Sequence, residues 1–123
     1  METLCYRVIN DSFTVPGLCS VESVMLYNNG MSFITVEESP TVKAGYGIRL
    51  RYLDERGVRR CVNGSGSIMF FGIEEDCSLL TVSTGSEIST EVCGNFVRVR
   101  AKIALCTNAE NVCDNNEENL LTN

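Results

Sequence analysis

Apolar and cationic residues alternate along Ile48-Arg-Leu-Arg-Tyr-Leu53, the chain turns through Asp54-Glu-Arg-Gly57, and Val58-Arg-Arg-Cys-Val62 follows. A period of two on either side of a short polar loop is the signature of a β-hairpin. Asp54 suits the first turn position, where its carboxylate accepts from a nearby backbone N–H, and Gly57 suits the left-handed residue that closes the loop. Pairing Asp54 with Val58 sets Leu50 opposite Val62. Ile48, Leu50, Tyr52, Val58 and Val62 then share one face, and Arg49, Arg51 and Arg59 share the other. A second stretch is as regular: Val97, Val99, Ala101, Ile103 and Leu105 alternate with Arg98, Arg100 and Lys102.

The remaining segments are shorter. Residues 4–9 and 13–15 are β-prone, separated by Asn10-Asp11-Ser12 and ended by Pro16-Gly17. Asn28-Asn29-Gly30 between Val21–Tyr27 and Met31–Val36 predicts a tight hairpin, because Asn and Gly tolerate positive φ. Glu37-Glu38-Ser39-Pro40 ends that second strand. Gly64-Ser65-Gly66-Ser67 reads as a loop, Ile68–Ile73 as a strand buried on both faces, and Glu74-Glu75-Asp76 as a charged turn. Leu79–Val82 and Ile88–Val92 are further strands about the turn Thr84-Gly85-Ser86. No segment holds a helical period with caps.

About eight short strands at a spacing of roughly ten residues predict an all-β, single-domain antiparallel β-sandwich, jelly-roll-like, or a closed barrel. An OB-like barrel, with about five strands, ranks second. The domain is expected over residues 1–106, with an acidic, flexible C-terminal tail over 107–123.

Composition narrows the chemistry. The 123 residues carry 10 Lys and Arg against 16 Asp and Glu, a net charge of −6 that opposes approach to phosphate. No apolar run nears the roughly 18 residues of a membrane span, and the N-terminus has no basic leader or apolar core. An intracellular protein, cytoplasmic or nuclear, is the expectation, with secretion open only if a leader has been removed. Seven cysteines, an odd number without Cys-x-x-Cys spacing, fit free thiols buried as small hydrophobes. Asn10-Asp-Ser and Asn63-Gly-Ser are glycosylation triplets of consequence only in a secreted chain.

There is no histidine. Ser-His and Cys-His nucleophile pairs, histidine bases and histidine metal ligands are therefore excluded. Cys61 beside Arg59 and Arg60 is the one thiol with cationic sequence neighbours, and a strand residue is the better reading. Glu37-Glu38 and Glu74-Glu75-Asp76 lack the oxygen-ligand spacing of a calcium loop. Gly64–Ser67 lacks the Gly-Lys-Ser ending of a phosphate-cradling loop. Ala44-Gly45-Tyr46 resembles the opening of the dUTPase substrate motif, also on a β fold. Gly47 stands where that family continues with Asp, and none of its other motifs is present, so membership does not follow. No cofactor, metal site or enzymatic activity is expected.

Positive charge is segregated. Six of the ten cations fall between Lys43 and Arg60, and Arg98, Arg100 and Lys102 form a second group. If their strands share a sheet, Arg49, Arg51, Arg59, Arg98, Arg100 and Lys102 make a basic face on an acidic protein. The expected role is a non-catalytic protein-interaction or assembly subunit of viral or eukaryotic origin, binding a protein partner or itself as a homo-oligomer, with no membrane partner. The alternative is an OB-like nucleic-acid binder using the same arginines.

Overall fold

The computed structural model describes residues 2–108. Its strands are β1 (Glu2–Thr14), β2 (Leu18–Val36), β3 (Ser39–Asp54), β4 (Arg59–Phe71), β5 (Leu80–Cys93) and β6 (Phe96–Thr107). A 3-10 turn at Cys77–Leu79 precedes β5, capped by the Asp76 carboxylate, which accepts from the Ser78 N–H. The strands form two antiparallel three-stranded sheets, β1–β6–β5 and β2–β3–β4, and neither closes into a barrel. The all-β class is as expected, and the closed-barrel and OB-like alternatives are not.

The two clearest alternating stretches form the two central strands. Val42, Ala44, Tyr46, Ile48, Leu50 and Tyr52 of β3 and Val97, Val99, Ala101, Ile103 and Leu105 of β6 are all buried, in one cluster that draws on both sheets. Burying such a branched or aromatic side chain stabilises by about 1.5–3 kcal/mol. The hairpin forms as read: the Asp54 N–H donates to the Val58 carbonyl at 2.9 Å, Gly57 takes φ 77°, and Leu50 pairs with Val62. Val58 departs from expectation. It lies in the turn ahead of β4 and is 47% exposed.

Six long strands replace about eight short ones, because polar and glycine-rich segments read as turns lie inside strands. Asn10, Asp11 and Ser12 continue β1 opposite Arg100, Val99 and Arg98. Asn28-Asn29-Gly30 is no hairpin; Asn28 pairs with Tyr46 and Met31 with Ala44, so Asn29 and Gly30 form a bulge in β2 against Gly45. The real β2–β3 turn is Glu37-Glu38, with Val36 paired to Ser39. Thr84-Gly85-Ser86 lies in a second bulge, where the register passes from Thr84–Ile103 to Ile88–Ala101.

Gly64-Ser65-Gly66-Ser67 is the middle of β4, paired with β3 from Gly45 to Ile48. Its glycines leave space for rings: a Cβ on Gly64 would stand 2.6 Å from Phe13 Cε1, and one on Gly66 2.5 Å from Tyr46 Oη. The run Ile68–Ile73 is not buried on both faces. Phe70 is buried, Phe71 is 55% exposed, and β4 ends there. Thr107, assigned to the tail, is a buried residue of β6; the rest of the expected tail, beyond Asn108, lies outside the described residues.

Candidate functional site

Topology separates the expected basic face into two stripes. Arg49, Arg51 and Arg59 lie on the β2–β3–β4 sheet, and Arg98, Arg100 and Lys102 on the β1–β6–β5 sheet. Arg49, Arg51, Arg98, Arg100 and Lys102 alternate with buried core residues, so they point away from the buried cluster, and Arg59 joins the Arg49 and Arg51 face through its pairing with Leu53. The single basic face required the two stretches to share a sheet, and they do not.

On the first sheet, strand alternation sets Lys43 on the same face as the three arginines, toward the other end of β3. Arg59 Nε pairs with Glu22 Oε1 at 3.3 Å, and Arg49 Nε donates to Asn63 Oδ1 at 3.3 Å. Arg51 and Lys43 have no ion pair among the described residues. Met25 and Tyr27 are exposed beside this stripe.

The second sheet has more relief. The β5 bulge sets its backbone off from β6 opposite Lys102, and a groove of about 500 Å³ opens there. Tyr6 and Val8 of β1 wall one side, Glu87 and Ser89 of β5 the other, and Arg100 and Lys102 run between them, with Ile88 and Ala101 also lining it. Lys102 Nζ stands 3.9 Å from the Tyr6 ring centroid and 3.7 Å from Glu87 Oε2. Arg98 lies 3.9 Å from Glu91. Arg100 has no ion pair among the described residues, although it stands between these two neutralised cations. Tyr6 and Val8 are 54% and 47% exposed, so the groove joins an unpaired guanidinium to apolar surface.

This groove was only half legible in the sequence. The cations are plain from alternation, but Tyr6 and Val8 come from a strand more than ninety residues away in sequence, and the bulge at Thr84-Gly85-Ser86 has the composition of a turn.

The thiols differ from expectation. Cys106 is buried and Cys5 half-buried, but Cys19, Cys61, Cys77 and Cys93 are exposed, and Cys113 lies outside the described residues. Burial, with Glu75 and Cys106 nearby, pushes the Cys5 thiol up and keeps it protonated. Cys61 faces Arg51 across the ladder, while its sequence neighbours Arg59 and Arg60 pair with Glu22 and Asp54. Among the described residues no cluster of three or more Cys, Asp or Glu is placed to hold a metal ion, and no buried side-chain polar atom lacks a partner. No helix among them is long and apolar enough to cross a membrane.

No family model matches the sequence, no curated protein matches it, and no solved structure matches it.

Proposed function

We propose that this protein is a non-catalytic interaction subunit, its two sheets packed as a β-sandwich, that docks an acidic segment of a partner protein on an outward sheet face. One observation carries the reading: in the β1–β6–β5 groove, Arg100 has no ion pair among the described residues and lies beside exposed Tyr6 and Val8. An unneutralised guanidinium offers charge-assisted, bidentate hydrogen bonds to a carboxylate, and the adjoining apolar surface rewards a peptide that alternates acidic and apolar residues. The chain's net charge of −6 limits indiscriminate capture of anions.

The test is fluorescence anisotropy of a labelled, short Glu/Leu peptide against the full chain at low and physiological salt. Binding that weakens with salt and is lost in Arg100→Glu supports the reading. Binding that ignores Arg100→Glu overturns it.

A second reading rests on the other stripe. Lys43, Arg49, Arg51 and Arg59 face outward, Arg59 is ion-paired with Glu22, and Tyr27 is exposed among them. That face has the cations and the ring needed to hold single-stranded nucleic acid. Labelled single-stranded DNA and RNA, run with the Arg49→Glu/Arg51→Glu double variant, separate the two. Nucleic-acid binding lost in the double variant and kept in Arg100→Glu would favour the second reading.

A further inference from the structure

Four strands lie at sheet edges, β1 and β5 on one sheet and β2 and β4 on the other. An edge strand turns a row of unpaired N–H and C=O groups outward, a template for another strand unless a bulge or charge blunts it. Three of the four are blunted. β2 changes register three times, β5 once between Thr84 and Ile88, and β1 once between Thr3 and Cys5. The Thr84 hydroxyl also donates to the Leu26 carbonyl at 3.5 Å, tying the β5 edge to the β2 edge. β4 is different. Its 13 residues pair with β3 without a shift, and from Cys61 to Phe71 it holds no charge and no proline.

The hairpin fixes which residues face that edge. The Asp54 N–H donates to the Val58 carbonyl, so β4 residues an even number of positions from Val58 bond to β3. Odd-numbered residues from Cys61 to Phe71 therefore turn both backbone groups away from β3. Arg7 Nη1 donates to the Met69 carbonyl at 3.0 Å, as this phase requires. Cys61, Asn63, Ser65 and Ser67 are exposed, and β1 covers β4 from the inward side, where Phe13 stands over Gly64.

We propose that β4 pairs antiparallel with β4 of a second copy about a two-fold axis at Ser65, joining two three-stranded sheets into one. Full overlap of Arg59–Phe71 with itself fixes the axis, because Ser65 is the middle residue of the strand. Ser65 faces the edge, so the axis passes through a hydrogen-bonded pair, and about ten main-chain bonds form in all. The side chains suit this register. Outward, Cys61 meets Met69 of the second copy, Asn63 meets Ser67, and the Arg59 guanidinium meets Phe71, which is 55% exposed. Inward, Val62 meets Ile68, and both already pack against the core. The antiparallel sense keeps the two Arg59-Arg60 ends about 40 Å apart, whereas parallel pairing would set them together. This self-complementarity favours a second copy over an unrelated strand. The surface belongs to the other sheet from the acidic-peptide groove and does not depend on it.

One strand pair is a small interface, so the expected dissociation constant is on the order of 10 µM. Two chains of charge −6 repel, so association should tighten as salt rises, opposite to peptide docking.

The experiment follows the mass of the full chain by sedimentation velocity in reducing buffer, from about 1 µM to about 1 mM. Wild type should pass from one chain to two. Ser65→Lys and Ser65→Glu each set like charges against each other at the axis and should weaken association about fivefold. Their equimolar mixture sets opposite charges there and should restore it. Amide hydrogen exchange of the wild type gives a second readout. The Cys61, Asn63, Ser65 and Ser67 N–H groups should exchange more slowly at high concentration, while those of Val62, Gly64 and Gly66 stay slow throughout. A single-chain mass across the whole range would overturn the proposal. So would Ser65 variants that associate like the wild type, a mixture no tighter than either variant alone, or odd-numbered amides indifferent to concentration.

Discussion

Tyr46 Oη donates to Asp11 Oδ2 at 2.9 Å, and the bond runs from the central strand of one sheet to an edge strand of the other. Tyr46 is buried, and Asp11, read as part of a turn, sits on the inward side of β1 opposite Val99. Burial, the hydrogen bond to Asp11 and the nearby carboxylate charge push the phenol up to about 12. Removing the hydroxyl with Tyr46→Phe keeps the ring and orphans the carboxylate, so a loss of about 1–2 kcal/mol in urea unfolding is expected. Because the folded pKa lies above the unfolded value near 10, the stabilisation is complete below about pH 10 and disappears as pH rises through about 12. The wild-type advantage over Tyr46→Phe should shrink across that window. An advantage unchanged at high pH would show that the hydroxyl contributes nothing through its proton.

Two glycines under tyrosine rings separate a fixed ring from a free one. A Cβ on Gly47 would run into Tyr27 Cζ, closer than the 2.5 Å between a Cβ on Gly66 and Tyr46 Oη. Distance alone ranks Gly47→Ala as the worse substitution. Tyr27, however, is 37% exposed and free to swing outward, whereas Tyr46 is buried and held by Asp11. We expect Gly66→Ala to cost about 2–3 kcal/mol and Gly47→Ala under about 1 kcal/mol. Thermal unfolding of both variants decides it, and the reverse order would refute the pinned ring.

These pairs also show where sequence reading stops. The alternation of β3 and β6 was plain because one face of each central strand is buried, so every second residue is apolar. Edge strands tolerate polar residues, and Asn10-Asp11-Ser12, Gly64–Ser67 and Asn28-Asn29-Gly30 all fall on edge strands β1, β4 and β2. There Asp11 finds a partner 35 residues away, Gly64 yields to Phe13, and Asn29 with Gly30 makes a bulge. None of those partners is local. A window of sequence therefore sees turn residues where the fold has continuous strand.

The turn that does join β2 to β3 carries strain. Glu37 and Glu38 take φ of 50° and 66°, the left-handed conformation a two-residue hairpin demands at both central positions. Each L-residue there costs about 1–2 kcal/mol over glycine-like freedom, and Asn-Gly is the preferred occupant. Glu37→Asn/Glu38→Gly should raise stability by about 1–2 kcal/mol, visible as a melting temperature higher by several degrees. An unchanged or lower melting temperature would mean that the glutamates make compensating contacts in the folded state.

Asp54 organises the opposite hairpin through its whole carboxylate. Oδ1 accepts from the Arg56 and Val58 N–H groups, both at 2.9 Å, and Oδ2 accepts from Arg60 Nε at 2.6 Å. The Arg60 hydrogen bond first, then the Val58 N–H, hold the carboxyl below its ordinary value of 3.8. A depressed folded pKa makes the stabilisation complete above the unfolded value and removes it as pH falls through the folded one. Asp54→Asn keeps the shape and can still accept at Oδ1, but it sets either an amide N–H or a neutral oxygen against the guanidinium. The variant should therefore unfold at lower urea near neutral pH, and its midpoint should converge on that of the wild type below about pH 4. A gap that stays constant from about pH 7 down to about pH 2 would mean that the turn depends on the shape of Asp54 and not on its charge.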